Sequence, residues 1–238
     1  MWASAQEACV GREFTGTEPG RLTLPVATEM PHLWFVSTTV SVLDHQVLDS
    51  RERAKAEGLT RDGRRREYVV AHTALRLLLG RYLRQPPAEI RLVRHGCPSC
   101  GKPHGRPAVH GDPVHFSLSH SGGGVLLAFA ASPVGVDLQR VPNLKVADRV
   151  ADLLTAEERQ ELAAHDVLTR PTAFARVWTR KEAYLKGLGM GLGRAPSLDY
   201  LGAGEAPVSP AGWCVRDVTA GSGYAAAVAV RLEEVDTI

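Results

Sequence analysis

"VHFSLSHSGGGVLLAFAASPVGVDLQRV", residues 114–141, decides the fold. Up to Ser132 it spells two strands joined through a glycine turn, and at Pro133 a further strand begins. In that last strand a period of two aims Asp137 and Gln139 at one face and Val136 and Leu138 at the other, while Gly135 clears space beside them.

Outward from this stretch, each side repeats a mixture of strands and helices. Upstream lie the strand "HLWFVST" (32–38), the short strand "EIRLVRH" (89–95) and the amphipathic helix "RRREYVVAHTALRLLLGRYL" (64–83). In that helix Tyr68, Ala71, Leu75, Leu79 and Tyr82 recur at helical spacing. Downstream, "LLTAEERQELAAH" (153–165) opens with Thr155 three residues before Glu158, a capping-box signature. "TAFARVWTRKEAYLKGLG" (172–189) is a second helix with Phe174, Val177, Trp178 and Leu185 as its apolar stripe, and 212–233 reads as a closing pair of strands.

The expectation is therefore a quasi-duplicated α+β chain with a seam near residues 131–134. Residues 1–30 read as a loosely ordered extension without assigned function, 31–132 as an N-terminal lobe, and 133–238 as a C-terminal lobe carrying a metal site.

A net charge of +2 on 238 residues argues against bulk attraction to nucleic acid, so anionic ligands must meet local clusters of Lys and Arg. No apolar run reaches the roughly 20 residues that span a bilayer, and a secretory leader pattern is missing, so a cytoplasmic protein without membrane contact is expected. The scattered Cys9, Cys97, Cys100 and Cys214 favour reduced thiols.

Several clusters carry chemistry. Glu182 and Lys186 lie four apart on one helix face, with Lys181 beside them. Alone they describe a solvated ion pair; with Asp137 and Gln139 they describe an oxygen-rich site suited to Mg²⁺, which binds one or two carboxylates plus substrate phosphates. Mn²⁺ accepts the same ligands. In "FSLSHSGGG", Ser119 and His120 offer donors to an anion, or else only turn chemistry. A Ser/His hydrolase is the enzymatic alternative, although neither Ser119 nor Ser121 sits in a G-x-S-x-G elbow. Arg65, His72 and Arg76 border the apolar stripe of the first helix, either as a solvated edge or as phosphate donors. "HGCPSCGKPHGRP" (95–107) pairs Cys97-x2-Cys100 with His104; His95 or His110 could complete four zinc ligands, but two reduced cysteines in a loop, with Lys102 and Arg106 facing ligand, are the favoured reading.

Three motifs in register, "FSLSHS", "GVDLQ" and "WTRKEAYLK", resemble the F-x-x-S-H-S, G-[VI]-D-x-E and W-x-x-K-E-x-x-x-K pattern of the Sfp-type 4′-phosphopantetheinyl transferases from about residue 32 onward. The resemblance implies two α+β lobes related by a pseudo-twofold axis with coenzyme A in the cleft between them. It implies transfer of 4′-phosphopantetheine to a serine of an acyl or peptidyl carrier protein, releasing adenosine 3′,5′-bisphosphate, in fatty-acid, polyketide or nonribosomal peptide synthesis.

By the same resemblance Asp137 and Glu182 are metal ligands, and Lys181 and Lys186 are phosphate-binding and catalytic lysines. Ser119 and His120 contact the adenosine phosphate end, and Arg65, Arg76 and Arg106 match less closely. Either Glu182 or a metal-bound water takes the serine proton. Gln139 departs from the pattern, since many members carry Glu there; its amide can coordinate through oxygen or hold a metal-bound water, with weaker affinity for the metal. A chain with both lobes is expected to work as a monomer.

Overall fold

Every residue of "GVLLAFA", 124–130, is buried, and the strand's alternation divides them between two cores. Val125, Leu127 and Phe129 join one cluster, and Leu126, Ala128 and Ala130 join another. A strand apolar on both faces has to lie between two layers, and the remaining elements supply them. The computed structural model describes residues 9–16, 20–26, 29–39 and 45–233.

The strands are β1 (Cys9–Val10), β2 (Arg12–Glu13), β3 (His32–Ser37), β4 (Leu92–Arg94), β5 (Pro107–Val109), β6 (His115–Ser121), β7 (Gly124–Ala130), β8 (Val134–Arg140), β9 (Trp213–Thr219) and β10 (Tyr224–Arg231). The helices are α1 (Ser50–Glu57), α2 (Asp62–Leu83), α3 (Leu144–Ala151), α4 (Ala156–Ala163) and α5 (Arg170–Leu188). One sheet runs β2-β3-β7-β6, a second β1-β9-β10-β8, and β4 with β5 forms a short ribbon.

The fold is mixed α+β, and its halves share a connectivity. In the first, strand β3 is followed by α2 and the hairpin β6–β7, with β7 between β3 and β6. In the second, β8 is followed by α5 and the hairpin β9–β10, with β10 between β8 and β9. Residues 131–133 carry the chain from β7 to β8. The turn at Gly122 and Gly123 needs both glycines, with φ of 54° and 91°, as a tight hairpin between right-twisted strands requires.

The expected stripe of α2 is buried, with Ala71, Leu75, Leu79 and Tyr82 in the core under the first sheet; of the α5 stripe Phe174, Val177 and Leu185 are buried in the second half and Trp178 is half-buried. The capping box of α4 is present: Glu158 N donates to Thr155 Oγ1 at 3.2 Å, and Thr155 N to Glu158 Oε2 at 3.1 Å. A second box, unexpected from sequence, starts α1 with Asp49 and Glu52.

The described part of the 1–30 segment pairs with both sheets. β1 lies parallel to β9, and β2 parallel to β3. Residues 1–8, 17–19 and 27–28 of that segment lie outside the described residues. Among the described residues, no helix is long and apolar enough to cross a membrane.

Candidate active site

Strand β8 meets helix α5 at two glycines. A Cβ on Gly135 would lie 2.0 Å from the Ala183 carbonyl oxygen, and one on Gly187 would lie 2.5 Å from the Trp213 ring. The helix can therefore settle onto the strand until Lys186 Nζ reaches Asp137 Oδ1 at 2.6 Å and the Val136 carbonyl at 3.0 Å.

Asp137 is almost wholly buried, 1% exposed, so its charge needs these partners. Ser119 Oγ on β6 donates to Oδ1 at 2.8 Å, and Gln139 Nε2 donates to Oδ2 at 3.0 Å. Flanking serines complete the seam between β6 and β8: Ser117 Oγ accepts from Val136 N and Ser121 Oγ from Arg140 N, each at 3.1 Å. Two edge strands that share no backbone ladder are thus joined by serines at alternate positions of β6.

Glu182 lies one helical turn before Lys186 and is half-buried. Burial pushes its carboxyl above the usual value, the Asp137 charge pushes it further, and Lys186 opposes both. No hydrogen bond among the described residues engages its side chain, so the helix supplies a carboxylate close to a second one and free to take a ligand. Asp137, Glu182 and the Gln139 amide form a hard oxygen donor set that fits Mg²⁺ or Mn²⁺. In the geometry present Gln139 turns its donor side to Asp137.

Beside this cluster opens a cleft of about 340 Å³. Tyr68 and His72 of α2 line one side, Phe116, Leu118 and His120 of β6 the floor, Arg94, His104 and Arg106 of the ribbon and its loop another side, and Lys186, Gly189 and Gly191 the end. Lys55 stands at its edge with its ammonium over the Tyr68 ring, 5.2 Å from the centroid. Among the described residues four cations, Lys55, Arg94, Arg106 and Lys186, line this cleft and no carboxylate does. Burial lowers the proton affinity of Arg106, and Arg231 adds to that effect against Asp112. A pocket with apolar walls and this excess of positive charge suits a phosphate-bearing ligand with an apolar part.

The sequence-derived residues divide accordingly. Asp137, Gln139, Glu182, Lys186 and Ser119 come together, and Arg106 and His120 line the adjoining cleft. His120 reaches Glu67 of α2, Nδ1 to Oε2 at 3.3 Å. Alternation along β6 sends Ser119 toward Asp137 and His120 toward α2, so no serine–histidine nucleophile pair forms.

Three expected ligand contacts lie elsewhere. Lys181, 2% exposed, has its ammonium 2.7 Å from Glu158 Oε2 and also donates to the carbonyls of Pro196 and Asp199, so its three protons are spent within the protein. Arg76, fully buried, binds Glu52 at 2.5 Å, Asp49 at 2.7 Å and the carbonyls of Pro87 and Ile90. Arg65 binds the Leu59 carbonyl and faces a separate hollow with His45 and Arg53. In each half a capping-box glutamate, Glu52 or Glu158, thus receives a buried cation of the long helix.

The sequence reading missed Lys55 and Arg94 as cleft residues. They lie on elements of eight and three residues, too short for a periodic pattern to assign their faces.

Fold and site together define a two-sheet α+β protein with an acidic corner beside a cationic cleft. Residues 133–216, which include Asp137, Gln139, Glu182 and Lys186, match the model of the 4′-phosphopantetheinyl transferase superfamily. The chain is similar to the 4′-phosphopantetheinyl transferase psf-1 of Bacillus pumilus, 35% identical over 37% of this chain and 38% of the relative. It is also similar to the 4′-phosphopantetheinyl transferase Sfp of Bacillus subtilis, 33% identical over 37% of this chain and 40% of the relative. A longer match, 27% identical, joins 90% of this chain to 92% of the 4′-phosphopantetheinyl transferase HetI of a Nostoc species. The stretches matched in psf-1 and Sfp are thus less than half of those proteins' lengths.

Proposed function

We propose that the chain is an Sfp-type enzyme that transfers the 4′-phosphopantetheine of coenzyme A to a serine of an acyl or peptidyl carrier protein and releases adenosine 3′,5′-bisphosphate. The observation that carries this reading is the Asp137–Lys186–Glu182 corner at the end of a cleft lined by four cations and no carboxylate.

Asp137 and Glu182, with the Gln139 amide, would hold Mg²⁺ or Mn²⁺, which when bound neutralises charge on the pyrophosphate. The apolar walls at Phe116 and Leu118 exclude water, and Arg106, Arg94 and Lys55 supply donors for the phosphates. Lys186, fixed between Asp137 and the Val136 carbonyl, meets charge that develops on the pyrophosphate as the serine oxygen attacks the β-phosphorus. Asp137 is engaged by three side chains, so Glu182 is the carboxylate free to take the serine proton. Ser119 positions Asp137.

Both halves of the cleft come from one chain, which supports an active monomer with coenzyme A and a carrier protein as its partners. A cytoplasmic location follows from its proposed substrates. An acidic carrier protein would dock on basic or apolar surface beside the cleft, whether it serves fatty-acid, polyketide or nonribosomal peptide synthesis.

Incubation with coenzyme A, Mg²⁺ and a panel of apo carrier proteins, followed by intact mass measurement, tests the proposal. The holo mass should appear and should vanish with EDTA. If no carrier gains mass with any divalent metal, the reading fails.

A further inference from the structure

The loop between β4 and β5 continues their ribbon as a hairpin. His95 N donates to the Arg106 carbonyl at 3.1 Å, Gly105 N to the His95 carbonyl at 3.0 Å, and Cys97 N to the Lys102 carbonyl at 2.8 Å. At the tip the chain folds back on Cys97, whose carbonyl accepts from Cys100 N at 3.2 Å and Gly101 N at 2.7 Å, with Gly101 at φ 72°.

This turn brings one ligand atom each of Cys97, Cys100 and His104 within 4.8 Å of one another, with Cys100 Sγ 3.0 Å from His104 Nε2. Tetrahedral zinc, with Zn–S of about 2.3 Å and Zn–N of about 2.0 Å, sets ligand-to-ligand edges near about 3.5–3.8 Å, so small side-chain rotations would complete three bonds. All four cysteines are free thiols. Cys97 is buried at the tip, and Cys100 and His104 are exposed beside it. His95, one of the residues expected as a fourth ligand, instead pairs with Asp112 at 2.9 Å.

We propose that Cys97, Cys100 and His104 bind one zinc ion, whose fourth position opens to solvent beside the exposed Cys100 and His104. Two thiolates and an imidazole select zinc over the hard cations suited to Asp137 and Glu182, so the two sites hold different metals. The tip buries Cys97 and little else, and a metal supplies the order that a hydrophobic core cannot. Its benefit reaches the cleft, because His104, Gly105 and Arg106 form part of the cleft wall.

The test is metal analysis of the whole protein purified in reductant without chelator, and requires neither coenzyme A nor a carrier protein. Its failure therefore leaves the transferase reading intact. About one zinc per chain is expected, falling below about a tenth in Cys100→Ser and in His104→Ala, both exposed positions where folding should survive. Co²⁺ added to the metal-free protein should give thiolate charge-transfer absorption that disappears in Cys97→Ser. Absence of zinc after reconstitution with ZnCl2, unchanged zinc in the variants, or a native Cys97–Cys100 disulfide would each overturn the proposal.

Discussion

Gly135 and Gly187 meet where strand β8 and helix α5 touch, and neither position has room for a methyl group. The Gly135 Cβ would sit 2.4 Å from Gly187 N and closer still to the Ala183 carbonyl, both backbone atoms that cannot rotate away. Gly135→Ala should destabilise the protein by about 3 kcal/mol and separate Asp137 from Lys186, lowering turnover even below the melting temperature. Gly63→Ala in the exposed start of α2, where a Cβ meets nothing within 4 Å, should be neutral or stabilising by about 0.5 kcal/mol. Urea denaturation of the two variants checks the contrast.

Lys181 separates a structural from a ligand-binding role. Lys181→Met leaves the buried Glu158 without its cation and should cost about 3–5 kcal/mol. KM for coenzyme A, measured on the folded fraction, should stay unchanged. The pair Lys181→Met with Glu158→Gln should regain part of the lost stability, and a raised KM in the single variant would return Lys181 to the substrate site.

Ser119→Ala removes one hydrogen bond to a buried carboxylate, worth about 1.5 kcal/mol, and should lower kcat about tenfold without abolishing it. A Ser119 nucleophile would instead give complete loss and a burst of covalent acyl-enzyme in the wild type. Rapid-quench kinetics distinguishes them.

Gln139 governs the metal requirement. Gln139→Glu adds a carboxylate beside Asp137 and should lower the Mg²⁺ concentration for half-maximal rate while retaining turnover. Gln139→Ala behaving as wild type across the titration would make it a mere neighbour.

Glu52 should set an acid limit on stability. Burial alone would raise its carboxyl, but hydrogen bonds from His72, the Asp49 N–H and Arg76 outweigh that and hold it below the ordinary 4.5. A depressed carboxylate contributes fully above 4.5, and its contribution is lost as pH falls through the lower folded value. Thermal melts should therefore show the wild-type melting temperature falling below pH 4.5 more steeply than that of Glu52→Gln, which starts lower at neutral pH.

Strand alternation and helix spacing made the α+β class, the 114–141 hairpin and strand, and the Asp137–Glu182–Lys186 corner legible in the sequence. Periodicity assigns a residue to a face, and these faces were apolar enough to name. It does not say what else reaches that face. Arg76 and Lys181 carry the charge of ligand-binding residues, yet glutamates from the preceding short helices arrive first. The pairing of β1 and β2 was equally hidden, because strands of two residues have no period to display.

Those two small strands also order events in time. Cys9 pairs with Val218, while Arg12, three positions on, pairs with Trp34. During synthesis β2 can find its neighbour once the first sheet exists, but β1 must wait until β9, Trp213–Thr219, has been made. The segment is therefore a late latch, and pairing at β1 marks when the second sheet has formed. Hydrogen exchange at Val10 and Thr219 should consequently gain protection after the amides of β7 during refolding.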